Sequence, residues 1–173
     1  LSPSGSALIQ EVGETIPVRL VTSEPSTITL LEDGEEVIQV VGNALDYELM
    51  VSETGTHTVT ITADNGSEVR TESFTYTVPL DATFVDPPAG TRAGFTEVND
   101  TTVRFALYAP NKDYVFLLGS FNDWTPTTEY QLRTSTDGNL HWIEVTGLTP
   151  GEAYTFQYLV SGGIQIADPY SRV

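Results

Sequence analysis

Apolar and polar positions alternate along this chain in short bursts. Ile16, Val18 and Leu20 are separated by Pro17 and Arg19, and Ile28 and Leu30 continue the pattern ten residues on. Val37–Val41 and Tyr47–Val51 follow, and Gly55 breaks the chain. From His57 to Ala63, Thr58, Thr60 and Thr62 alternate with Val59, Ile61 and Ala63; Phe74, Tyr76 and Val78 repeat the spacing. A period of two marks a strand with one buried face. Asp33-Gly34 and Asn65-Gly66 supply tight turns, because both residue pairs tolerate positive φ. About seven strands in roughly seventy residues predict an immunoglobulin-like sandwich over residues 1–82.

Pro79, Pro87 and Pro88 cannot donate to a strand ladder, so Pro79–Thr91 reads as a linker, stiff and extended over Asp86–Gly90. A second sandwich is predicted over residues 83–173. Its strands are Gly94–Val98, Thr102–Ala109, Tyr114–Leu118, Gln131–Thr134, Leu140–Val145, Tyr154–Val160 and Ile164–Ala167. Turns at Asn99-Asp100, Asp137-Gly138-Asn139 and Gly147–Gly151 separate several of them. No segment has a helical period. The fold class is therefore all-β, two tandem sandwiches joined by a proline-rich linker.

Acidic residues outnumber basic ones 24 to 7, a formal charge of −17. Residues 1–80 hold thirteen acids and two arginines, and residues 81–173 hold eleven acids and five bases, so the charge is not a tail. Nucleic acid is excluded as a partner, because phosphate binding needs a basic stripe. Lys112 is the only lysine, and acid excess of this kind predicts a protein suited to concentrated salt. Cysteine is absent, which removes disulfides and thiolate chemistry. No apolar run reaches membrane-spanning length. Leu1–Gln10 lacks the basic start and apolar centre of a signal peptide, so a leader is expected to have been removed upstream.

Catalytic constellations are scarce. His57 and His141 fall in different predicted domains, one each, too few for a zinc site. His57 reads as a corner-forming side chain. Asp64–Glu68 and Asp137–Asn139 are short of a calcium loop and read as hairpin turns. No nucleophile elbow, P-loop or dinucleotide fingerprint occurs. Neither a catalytic residue, a metal ligand nor a cofactor is expected.

Three stretches carry a resemblance. Tyr108-Ala109-Pro110-Asn111-Lys112, Ser120-Phe121-Asn122-Asp123-Trp124 and Phe156-Gln157-Tyr158-Leu159-Val160, with Asp168-Pro169-Tyr170 behind them, resemble the family 48 carbohydrate-binding module. That early-set β-sandwich precedes the catalytic barrel in α-amylase-type enzymes of glycoside hydrolase family 13. The resemblance implies the non-catalytic N-terminal region of a secreted bacterial enzyme acting on α-glucan, located outside the cell, in the periplasm or on the cell surface. Its partners would be a barrel following Val173 and, weakly, α-glucan. In the glycogen-binding member the sugar platform is two tryptophans, a lysine and an asparagine. By resemblance these fall on Tyr108, Gln157 and, near the second tryptophan, Gln165, while the asparagine lies past Val173. Trp124 falls on a packing position and Trp142 on a core position whose indole N–H needs a partner. Asp168, Pro169 and Tyr170 fall where the module meets the barrel. An independent starch-binding module and a cell-surface immunoglobulin-like array are the alternatives.

Overall fold

The structure is a computed structural model. It describes Pro3 and residues 8–170, so most of the opening segment discussed above, and Ser171–Val173, lie outside the described residues. The chain forms two compact units, Leu1–Pro79 and Leu80–Val173. Both are all-β, as the alternation predicts.

The first unit contains β1 (Leu8–Ile9), β2 (Thr15–Glu32), β3 (Glu35–Met50), β4 (Gly55–Asp64) and β5 (Val69–Val78). They are ordered β1-β5-β4-β2-β3, with β1 parallel to β5 and the other pairs antiparallel. β2 and β3 are each two strands in one. Thr15–Val21 pairs with Ala44–Met50, the register breaks between Val21 and Ser26, and Ser26–Glu32 then pairs with Glu35–Gly42. Only the second half of β2 also pairs with β4. The first halves thus form a separate two-stranded layer, and the alternation count of seven strand segments stands. Ile16, Val18, Leu45 and Leu49 from that layer share one core with Ile28, Leu30, Val59, Ile61, Phe74 and Tyr76. Each such aliphatic side chain contributes about 1.5–3 kcal/mol by leaving water.

Turn chemistry fixes the register. Asp33 and Gly34 both take positive φ (50° and 87°), the geometry a two-residue hairpin requires. The Asn65-Gly66 turn is longer than a two-residue hairpin. Asn65 N–H reaches the Glu68 carbonyl, and Asn65 Oδ1 accepts from Ser67 and Glu68 N–H at 2.9 and 2.8 Å. His57 ties β4 to the Asp33 turn through Nδ1···Oδ2 at 2.7 Å, the corner role read from sequence.

The second unit has β6 (Gly94–Asn99), β7 (Thr102–Tyr108), β8 (Val115–Gly119), a 3₁₀ turn (Thr128–Tyr130), β9 (Arg133–Thr134), β10 (Leu140–Val145), β11 (Phe156–Val160) and β12 (Ile164–Ile166). One sheet runs β6-β7-β10-β9, and the other β12-β11-β8. Phe105, Leu107, Ile143 and Val145 from the first sheet and Val115, Leu117, Tyr158 and Val160 from the second fill the core between them.

Part of the stretch read as linker belongs to this unit. The Gln131 side-chain amide clamps Leu80 from both sides, accepting its N–H and donating to its carbonyl, each at 2.8 Å. Thr134 N–H reaches the Thr83 carbonyl and Val85 N–H reaches the Thr134 carbonyl, a parallel edge pairing along β9. Asp86 accepts from Thr136 N–H and Oγ1. Residues 80–86 contain no proline, so their N–H groups can donate, and the disruptive pair Pro87-Pro88 follows them. This edge covers Trp142. The ring is buried, but alternation with the core residues Ile143 and His141 puts it on the outer face of its sheet. There the indole N–H donates to the Val85 carbonyl at 2.7 Å, and Arg133 lies 5.1 Å from the ring centroid.

Candidate functional site

The corner after β8 is held by one side chain. Asn122 Oδ1 accepts the Gly119 N–H at 2.8 Å, and Asn122 Nδ2 donates to the Leu117 carbonyl at 2.9 Å. Residues 122–125 then form a turn closed by Thr125 N–H to the Asn122 carbonyl (3.0 Å), with Asp123 and Trp124 at φ 51° and 58°. Such turns favour glycine and asparagine. A tryptophan there stores about 1–3 kcal/mol of backbone strain, tolerated because the surroundings over-determine it. Trp124 N–H is itself fastened to the Gly119 carbonyl at 3.0 Å.

The indole of Trp124 is 42% exposed, where the resemblance implied a packing residue. Phe121 takes the packing role at this corner instead. Its ring meets Phe105, Tyr130 and Tyr154 at 6.1, 5.5 and 6.3 Å between centroids. The sequence signal that separates the two is the left-handed turn required by Asn122-Asp123, which carries the following side chain away from the core.

Gln157 and Gln165 lie on adjacent strands, β11 and β12. They face away from the core, because Tyr158 and Val160 alternate inward. Gln157 Nε2 donates to Gln165 Oε1 at 3.2 Å. Gln157 stands opposite Leu118 and Phe156 opposite Gly119, so the amide pair begins one residue from the glycine that anchors the Trp124 turn. Tyr108, 56% exposed, ends β7 opposite Leu140 in the other sheet. The structure therefore joins the two glutamines and places Tyr108 on a different layer.

Asp168 is buried where the chain passes from β12 toward β6. Its Oδ1 accepts the Tyr170 N–H at 3.1 Å, and its Oδ2 has no hydrogen-bond partner among the described residues. The same holds for the hydroxyl of the fully buried Tyr158. Burial, then the Asp168 carboxylate and Tyr170, push the Tyr158 phenol well above its usual range. Tyr170 sets its Cβ against Gly94, where a side-chain carbon would fall 3.2 Å away, and leaves its ring 44% exposed. Pro169 between them is exposed.

Neither histidine is placed for catalysis. Burial lowers the His141 pKa against the opposing bond to the Ala109 carbonyl, so the neutral ring donates from Nε2 to that carbonyl (3.1 Å) and faces Thr134 Oγ1 with Nδ1 (3.3 Å). His57 stacks on Tyr76 at 4.9 Å. Among the described residues no group of three ligating side chains is placed to hold a metal ion. What the second unit offers is an exposed indole in a hydrogen-bonded turn and, on β11 and β12, a pair of hydrogen-bonded amides.

The family described as Carbohydrate-binding module 48 (Isoamylase N-terminal domain) matches residues 92–171. Two relatives are 1,4-alpha-glucan branching enzymes GlgB. The Butyrivibrio fibrisolvens protein is 33% identical over 70 residues, covering 39% of this chain and 11% of its own length. The Deinococcus radiodurans protein is 35% identical over 77 residues, covering 43% and 11%. The chain thus spans about a tenth of the length of the curated relatives it matches. Among solved structures, a pullulanase from Anoxybacillus sp. aligns over 96% of this chain and 26% of its own, at 15% identity and a TM-score of 0.38. Residues 92–171, a little under half of the chain, match the carbohydrate-binding module 48 family, and an immunoglobulin-like sandwich precedes them.

Proposed function

We propose that this chain is the non-catalytic N-terminal region of a secreted bacterial enzyme acting on α-glucan. In this reading the second unit contacts the glucan weakly and seats against the catalytic barrel. The observation that carries it is Trp124, an exposed indole held in a strained turn at the end of β8. A pyranose presents a flat C–H face that stacks on such a ring, and its hydroxyls need planar polar partners. The Gln157–Gln165 pair supplies two amides that can each donate and accept. Tyr108 offers a second, separate stacking ring on the other sheet. At the far end of the chain the exposed ring of Tyr170 is free to pack on a following domain, while Asp168 and Pro169 set its direction. The acid excess and single lysine support a source rich in salt.

The chain has two tryptophans, and Trp142 is buried. Both indoles emit, but only Trp124 is open to a sugar, so the change in emission on adding sugar reports on Trp124. Titration with maltoheptaose is expected to quench and blue-shift the emission with a Kd of about 1 mM, equivalent to about −4 kcal/mol. Trp124→Ala should abolish binding measured by calorimetry, whereas Tyr108→Ala should leave it within a factor of about three. No spectral change up to saturating sugar would reject the reading.

A further inference from the structure

The turn between β4 and β5 surrounds one side-chain amide with groups that can act on it. Gly66 N–H donates to Asp64 Oδ1 at 2.7 Å. Asn65 Oδ1 accepts two backbone N–H groups, from Ser67 at 2.9 Å and from Glu68 at 2.8 Å. Asn65 Nδ2 donates to Glu24 Oε2 at 3.1 Å, on the stretch where β2 changes register. Residues 64–68 are all exposed, so water reaches the turn.

An asparagine amide and the next backbone nitrogen form an electrophile and a nucleophile within one short segment. Their reaction is slow because the nitrogen must lose a proton and the amide oxygen must gain charge. This turn bears on both obstacles. The Asp64 carboxylate sits where a general base would take the Gly66 proton. A hydrogen bond to a neutral carbonyl would only restrain that nitrogen, whereas one to a carboxylate gives its proton a destination. The Ser67 and Glu68 N–H groups sit where they would stabilise charge on Asn65 Oδ1. Gly66 adds no Cβ to hinder the attack, and of the six asparagines in the chain only Asn65 precedes a glycine. Asn122 shows the opposite arrangement. Its Oδ1 and Nδ2 are both bonded to backbone that precedes it, at Gly119 and Leu117, and Asp123 follows it. Asn99 Oδ1 accepts from Thr101 N–H at 3.0 Å, but the nitrogen after it belongs to Asp100.

We propose that Asn65 is a self-modification site, at which the folded turn converts asparagine to aspartate and isoaspartate. The Gly66 nitrogen attacks Asn65 Cγ and forms an N–Cγ bond. Its proton passes to Asp64, and the carbonyl electron pair moves onto Oδ1. The pair then returns and the Cγ–Nδ2 bond breaks. Nδ2 leaves as ammonia with a proton drawn from solvent, while Asp64 returns its own proton to solvent. Water opens the resulting five-membered imide at either carbonyl: attack at Cγ leaves aspartate, and attack at the main-chain carbonyl leaves isoaspartate. The sum is one water consumed and one ammonia released, with no change of oxidation state. Either product lacks the Nδ2 donor and sets a new negative charge opposite Glu24, so the tie from the turn to β2 is lost.

The test is ageing of the full chain at neutral pH, folded and in urea. Peptide mass spectrometry reads the mass gain at residue 65, and labelling by an isoaspartyl methyltransferase reads the isoaspartate. The folded chain is expected to convert faster than the unfolded one by about tenfold or more, because unfolding removes both the base and the two N–H donors. Asp64→Ser keeps an acceptor for Gly66 N–H but removes the base, and is expected to slow the folded chain by at least about tenfold. The comparison with urea needs no substitution, so it stands even where Asp64→Ser does not fold. Asn43, Asn99, Asn111, Asn122 and Asn139 serve as internal references and are expected to stay unconverted over the same period. A folded chain that converts no faster than the unfolded one overturns the proposal, and so does a folded Asp64→Ser chain that ages at the parent's rate.

Discussion

Each unit buries a tyrosine at its centre, Tyr76 in the first and Tyr158 in the second, and the two end in opposite circumstances. The Tyr76 residue is 1% exposed, yet its hydroxyl donates to Glu32 Oε1 over the intervening β4 of the same sheet, and its ring stacks on His57. Burial, then the Glu32 carboxylate, push this phenol well above its usual range. His57 leads on to Asp33, whose carboxyl is held below its usual value. Burial opposes that shift, but the Thr58 N–H and His57 outweigh it. Tyr158 is 0% exposed and its hydroxyl has no hydrogen-bond partner among the described residues. The first unit thus closes its core with polar groups from its own hairpin turn. The second closes its outer faces with added stretches of chain, residues 80–86 over Trp142 and residues 168–170 beside β6.

The largest test of that contrast is Trp142→Ala. The indole is 6% exposed and bonded to an edge segment 57 residues away in sequence. Its loss removes the ring that residues 80–86 cover, and is expected to cost about 3–5 kcal/mol. Urea unfolding measures the loss, and hydrogen exchange locates it. Protection should drop first at Thr134 and Val85, whose N–H groups make the edge pairing, while the first unit keeps its protection. Unchanged protection at Val85 would show that the segment holds without Trp142.

How much of this could be read in advance follows the same division. The period from His57 to Ala63 assigns each residue to a face because a strand has only two faces, and the core is Val59 and Ile61 as expected. Asp33-Gly34 announces its turn because few residue pairs accept positive φ twice. Trp142 and Trp124 defeat the same logic. Alternation puts Trp142 on a face but is silent on what covers it, and the cover comes from Val85. Resemblance makes Trp124 a packing residue, yet the backbone conformation two residues after Asn122 decides where it points. The prolines of the stretch Pro79–Thr91 predict an extended linker. What matters is that residues 80–86 lack them and that Gln131 waits opposite Leu80. Tyr108, Gln157 and Gln165 were placed by resemblance, which preserves strand position but carries no information about which of two layers each strand joins.

A smaller effect comes from Tyr76→Phe. Removing the hydroxyl leaves Glu32 without its donor beside a buried ring, and is expected to cost about 1.5–3 kcal/mol, the range for a hydrogen bond to a charged group. Thermal unfolding checks it, with Asp33→Asn as a companion that weakens the same chain of contacts one step away. A loss under about 0.5 kcal/mol would mean that the bond merely replaces one to water.

Tyr158→Phe should do least, and its sign is what distinguishes the units. A buried hydroxyl without a partner costs free energy that a phenylalanine avoids, and the ring packing in the core stays the same. The substitution is therefore expected to leave the melting temperature unchanged or to raise it, by up to about 1 kcal/mol of stability. A clear loss, equal to that of Tyr76→Phe, would mean that the hydroxyl is satisfied by a water, and the Asp168 carboxylate, whose charge acts on Tyr158, is the group to test as the other end of that bridge. Asp168→Asn then separates the cases. If a water joins the two groups, the two substitutions are non-additive in a double-mutant cycle; if the hydroxyl is alone, their effects simply add.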